Sequence, residues 1–142
     1  MLKVNYIPRG IFRLLLFAFL LTGCSYSDPL EIPGLDSAAF KSDRAGCKGL
    51  RARQITLLKE NQDRFLGISE NEIFNAIGRY DYQVLDRKNE KVFVYYLEPG
   101  PQCEQIQAPT QAESLVLYLN AVKLVKEVVI RKGGHILEQS NL

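Results

Sequence analysis

The sequence predicts an α+β fold, a two-helix hairpin packed on a three- to four-stranded antiparallel β-meander. Three observations predict it. Apolar residues recur at helical spacing between Leu50 and Phe65, and a second helical pattern opens after Ser69. From Tyr80 onward the composition turns β-branched and aromatic, in short runs that suit strands. Polar turns rather than long crossovers separate most of those runs, so neighbouring strands should run antiparallel.

In the first helix, Leu50, Leu57, Leu58 and Phe65 fall on one stripe. Arg51, Arg53, Lys59, Glu60, Asp63 and Arg64 fill the rest, and their mixed sign reads as a solvated face rather than a binding strip. Gly67 punctuates. Ser69-Glu70-Asn71-Glu72 has the form of a capping box, in which the hydroxyl accepts from an early amide and the glutamate reaches back. Ile73, Phe74 and Ile77 give the second helix its buried side, and Gly78 closes it in a conformation that a Cβ resists.

Tyr80, Tyr82, Val84 and Leu85 open a strand that ends at the turn Arg87-Lys88-Asn89-Glu90. The return strand, Val92 to Leu97, is apolar on both faces, as a central strand is. Glu98-Pro99-Gly100-Pro101 breaks it and leads into a polar loop holding Cys103 and Pro109. Leu115 to Leu119 alternates as a half-buried strand, Asn120-Ala121 turns, and Val125 to Ile130 forms the last strand. Residues 43–134 therefore form the domain. Gly133-Gly134 close it, and a polar tail, 135–142, follows.

Ahead of the domain, Lys3, Arg9 and Arg13 precede the uninterrupted run Leu14 to Leu21. That order is the order of an export signal, and the run is well short of the ~20 residues a membrane span needs. It ends in Leu21-Thr22-Gly23-Cys24, which resembles the lipobox of bacterial lipoproteins. The resemblance implies cleavage of residues 1–23 and acylation of Cys24 with diacylglycerol and palmitate-type chains, a stable anchor because more than one chain is attached. In the lipoproteins it resembles, aspartate after the acylated cysteine favours the inner membrane. Ser25 stands there instead, which implies the outer membrane, periplasmic face. From Ser25 to Ser42, Pro29 and Pro33-Gly34 interrupt any regular pattern. Residues 24–42 are expected to be a lipidated tether, with a packed arm through Leu30, Ile32, Leu35 and Phe40 as the alternative.

With Cys24 consumed by lipid, Cys47 and Cys103 remain, and an exported chain favours a disulfide between them. Free buried thiols or an intermolecular bond are the alternatives. The two lack the spacing of a redox pair, and with the solitary His135 they make no zinc set, so no metal is expected.

The 18 basic and 16 acidic residues nearly balance once the three leader cations are removed, which gives no basic face for nucleic acid. His135, beside Gly133-Gly134, is poorly placed for a catalytic base. Glu70, Glu72, Glu98 and Glu104 show no pairing that separates an acid from a base. No catalytic residue and no cofactor beyond the covalent lipid is expected. Tyr80, Tyr82, Tyr95, Tyr96 and Tyr118 are the candidate partner-binding set, the alternative being that they pack the sheet.

The run Leu66 to Gly78, followed by strands, resembles the SmpA/OmlA (BamE-like) lipoprotein domain, whose G-x-[ST]-x-x-[EQ]-hydrophobic pattern builds a helical hairpin before an antiparallel sheet. The match spans roughly Leu50 to Lys132. It departs from the family in having Tyr80 and Asp81 where a proline is common, and no Trp in the first strand. The resemblance implies an envelope protein acting in outer-membrane assembly or maintenance. The expected function is thus a non-enzymatic, lipid-anchored protein that binds an envelope partner through its sheet face or the loop 98–113. The alternatives are an inhibitor or small-ligand module of β-lactamase-inhibitor-like layout, and then a small hydrolase.

Overall fold

The structure, a computed structural model, describes residues 29–86 and 88–134. The expected leader 1–23, Cys24, Ser25, Arg87, His135 and the tail 135–142 lie outside the described residues. Helices α1 (Ser37–Ser42), α2 (Ile55–Glu60) and α3 (Glu70–Ile77) precede strands β1 (Tyr82–Leu85), β2 (Lys91–Tyr96), β3 (Glu113–Leu119) and β4 (Val125–Lys132). The strands form one antiparallel sheet in the order β1-β2-β3-β4, so the α+β meander is observed with four strands.

Helix α3 forms as its sequence predicts. The Ser69 hydroxyl accepts from the Glu72 N–H at 3.3 Å, and the Glu72 carboxylate accepts from the Ser69 N–H at 2.9 Å. Gly78 ends the helix at φ 84°, a value that glycine adopts without strain. Ser69→Ala should lower stability by about 1 kcal/mol through loss of the cap. An unchanged melting temperature would show that α3 is held by packing alone.

The segment 50–65, expected as one helix, is divided. Helix α2 is flanked by 3-10 turns at Ala52–Gln54 and Gln62–Phe65. Asn61 causes the second break: its side-chain amide donates to the Leu57 carbonyl at 2.9 Å, the acceptor its own N–H would use in a continuing helix. Its N–H turns to Leu58 instead. Leu58 and Phe65 nevertheless reach the core fully buried.

Residues 30–42, read first as tether, pack on the domain, as the alternative reading had it. Ile32 and Phe40 are buried, Leu30 and Leu35 pack beside them, and the Pro33-Gly34 pair shapes a turn within the arm. Asp36 caps α1 by accepting from the Ala39 N–H, and the Gln54 side chain accepts from the Asp36 N–H. Enough apolar surface is buried to order a segment whose composition alone suggests a linker.

Strand alternation sorts the sheet into two faces. Phe93, Tyr95, Leu97, Leu115, Leu117 and Leu119 face the helices and meet Phe40, Leu58, Phe65, Ile73 and Ile77. On the reverse face, Val92, Val94 and Val116 are fully buried, and among the described residues Tyr82, Val84, Tyr118 and Val129 pack on them. The registers Tyr82↔Val94, Val94↔Val116 and Val116↔Val129 carry this face across all four strands. The helical layer is clipped to the β4 edge by Gly67 N–H to the Val125 carbonyl and Val125 N–H to the Ile68 carbonyl, at 2.8 and 2.9 Å.

Candidate functional site

Arg51, read from sequence as solvated, is instead 1 % exposed and lies at the centre of a buried polar node. Its Nη1 donates to Asp81 Oδ2 at 2.6 Å and to the Tyr96 carbonyl at 3.0 Å, and its Nε donates to the Phe40 carbonyl at 3.0 Å. The guanidinium carbon sits 4.5 Å from the Phe40 ring centre and 5.9 Å from that of Tyr95, a placement that suits a weakly hydrated planar cation. Asp81 also accepts from the N–H groups of Ala45 and Tyr96, while Asp43 accepts from those of Lys48 and Arg51. The charges are therefore committed to backbone groups and to one another. This arrangement locks the chain from Phe40 to Arg51 onto the end of β2, and it offers no free acid or base to a substrate.

A covalent link reinforces the same contact. Cys47 and Cys103 form a disulfide with Cα atoms 5.8 Å apart. Beneath it Gln102 is buried and donates from Nε2 to the carbonyls of Ala45 and Glu98, at 3.1 and 2.7 Å. Both cysteines are exposed, so the bridge covers the junction of two loops rather than filling the core.

The five tyrosines do not form one surface. Tyr80 stacks on Phe93 with ring centres 4.5 Å apart and also meets Phe74, on the helical side. Tyr95 is fully buried there and donates its hydroxyl to the Gly78 carbonyl at 2.9 Å. These two pack the core. Tyr82, Tyr96 and Tyr118 stand on the reverse face instead, the first two with ring centres 5.7 Å apart. Tyr82 precedes Tyr95 by an odd number of residues along a meander, and only the register tells which of them share a face.

Burial raises the pKa of Tyr95, and of Tyr96, where a hydrogen bond to Tyr82 adds to the effect. Burial raises that of Tyr118 as well. These hydroxyls stay neutral at physiological pH, so the tyrosine contribution to the reverse face is apolar surface with uncharged hydrogen-bonding groups. Glu127 and Arg131 on β4 and Asp86 place charges near Tyr118 on this face.

Glu70, expected as a surface carboxylate, pairs with Lys91 at 2.8 Å, and Glu72 serves the α3 cap. Glu98 accepts from the Glu113 N–H at 2.8 Å. Among the described residues, no three His, Cys, Asp or Glu side chains gather as a metal-holding group. Nor is any helix among them long and apolar enough to cross a membrane. Comparison of the chain with protein-family models, with curated proteins and with solved structures found no match.

Proposed function

We propose that the chain is an exported lipoprotein, acylated on Cys24, whose domain binds another envelope protein and performs no catalysis. The observation that carries the reading is the sequence Leu21-Thr22-Gly23-Cys24, closing an apolar run too short to span a bilayer, with Lys3, Arg9 and Arg13 as the charged side chains ahead of it. A lipid foot on Cys24 would hold the domain at a membrane surface, and Ser25 favours the outer membrane, facing the periplasm. The disulfide Cys47–Cys103 agrees with an oxidising compartment. The run Leu66 to Gly78 resembles SmpA/OmlA-like domains, and that resemblance would bring a role in outer-membrane assembly or maintenance.

Binding rather than catalysis is supported by the way the buried polar groups are used. Arg51, Asp81 and Asp43 are spent on holding loops, whereas Tyr82, Tyr96 and Tyr118 gather on one sheet face. A photo-crosslinking side chain at position 118 should yield an adduct with a specific envelope protein in intact cells, and one at Lys59, exposed on the helical side, should not. Equal labelling from both positions, or none from 118, would remove the docking face from the account. Cys24→Ala should leave an uncleaved precursor that lacks lipid, seen as slower migration and absent fatty-acid labelling. Normal processing of that variant would contradict the anchor.

A further inference from the structure

We propose that the end of the sheet formed by the β1–β2 and β3–β4 turns, together with Leu66, lies against the lipid surface to which Cys24 is anchored. The inference rests on the acylation of Cys24 and adds to it an orientation of the domain.

Topology brings the parts together. In an antiparallel meander β1 and β3 finish at one end, and the loop 98–112 between β2 and β3 lies at the other. Helix α3 begins at the first end. Its Glu70 N–H donates to the Lys123 carbonyl, and the Glu70 carboxylate pairs with Lys91, the strand partner of Leu85. Gly67, next to Leu66, donates its N–H to the Val125 carbonyl. Leu66, Leu85 and Val122 therefore share this end. They are three of the four large apolar side chains that stand exposed among the described residues, at 47, 49 and 71 %. The fourth, Ile106, is on the opposite loop.

Val122 is held outward by its turn. The Asn120 side chain accepts from the N–H groups of Val122 and Leu124, at 3.1 and 3.0 Å, and the Lys123 N–H closes the turn on the Asn120 carbonyl. A fixed turn with an apolar tip is costly in water and suits the headgroup boundary of a bilayer. Arg64 and Lys123 are exposed beside these residues, and their long stems can lie on apolar surface with the charge among lipid phosphates.

The entry of the chain is on the same side. Pro29 and Leu30 border a cavity with Arg64 and Ile68, which stand two residues to either side of Leu66. Pro29 follows Cys24 by five residues, and so short a link spans at most ~18 Å. A domain of about a hundred residues has a radius of gyration near ~13 Å, so its far side is about 30 Å from its near one. The link thus keeps the side around Pro29 toward the bilayer, and Leu66 and Val122 are its exposed apolar groups. The tyrosine face runs along the flank of the sheet, so the membrane and a docked protein would occupy different surfaces.

Bimane attached to Leu66→Cys or Val122→Cys tests this in full-length protein extracted from membranes and reconstituted in vesicles of phosphatidylethanolamine and phosphatidylglycerol. Gln107→Cys, exposed on the opposite loop, is the control. Cys47 and Cys103 are joined, and on this reading Cys24 is acylated, so the added thiol takes the label. Iodide in the water should quench positions 66 and 122 at least about threefold less than 107, as expected of groups at the headgroup boundary. A nitroxide-bearing lipid should quench 66 and 122 and spare 107. Adding Val122→Glu should raise iodide quenching at 66 toward that at 107 while the protein still floats with the vesicles. Protein that floats but is quenched alike at all three positions would overturn the orientation and leave the anchor standing. Protein that does not float would remove the anchor, and the orientation with it.

Discussion

Replacing Asp81 with alanine should cost about 3–5 kcal/mol, the usual consequence of leaving a buried charge without its counter-ion. Arg51 would keep its carbonyl acceptors at Phe40 and Tyr96, but its positive charge would be stranded at 1 % exposure. The N–H groups of Ala45 and Tyr96 would lose their acceptor as well. Asp81→Asn keeps an acceptor oxygen and should cost less. Arg51→Met should fall between the two, since it removes the cation but leaves Asp81 with two backbone donors. Urea unfolding of the full-length protein followed by circular dichroism would give the order. A loss under about 1 kcal/mol for Asp81→Ala, within the range of a solvated surface pair, would mean that the node is open to water.

Loss of the Cys47–Cys103 bridge is the second large effect. The bond closes a sequence separation of 56 residues, and on the chain-entropy model such a loop restricts the unfolded state by roughly 4 kcal/mol. Cys47→Ala and Cys103→Ala should therefore destabilise by similar amounts, because neither side chain fills the core. Unequal losses would point to packing or to a different partner for one thiol. The bridge and the ion pair hold the same loop against the end of β2, so their losses should not add when combined. A double-mutant cycle with Asp81→Asn measures that coupling.

The sheet was legible in the sequence because its signals are local. The apolar run from Val92 to Leu97 is buried at every position, and Asn89 and Asn120 mark the turns that join β1 to β2 and β3 to β4. The Ser69–Glu72 cap and Gly78 bound α3 where residue chemistry puts them. What stayed hidden depends on contacts between distant residues. Arg51 looks like one more helix-surface cation until Asp81, thirty positions on, is folded against it. Asn61 gives little warning that it will take the Leu57 carbonyl and end α2. The prolines of the arm read as linker, although Ile32 and Phe40 are anchored in the core.

The tyrosine set was partly legible for the same reason. Alternation within β2 separates Tyr95 from Tyr96, but joining Tyr96 to Tyr82 and Tyr118 requires the pairing register of three strands. Tyr80 lies outside β1 and turns toward Phe74 and Phe93. Strand periodicity therefore says nothing about its side. The proposed docking surface is smaller than composition suggests, three rings beside Val92, Val94 and Val116.

The central claim is that a thioether-linked lipid on residue 24 fixes this domain to a membrane. Mass spectrometry of the amino-terminal peptide from membrane-extracted protein tests it most directly. The account requires a peptide beginning at Cys24 and heavier than its sequence by a glyceride and fatty acyl groups. A mature chain that starts elsewhere, or one in which Cys24 carries no lipid, would contradict it.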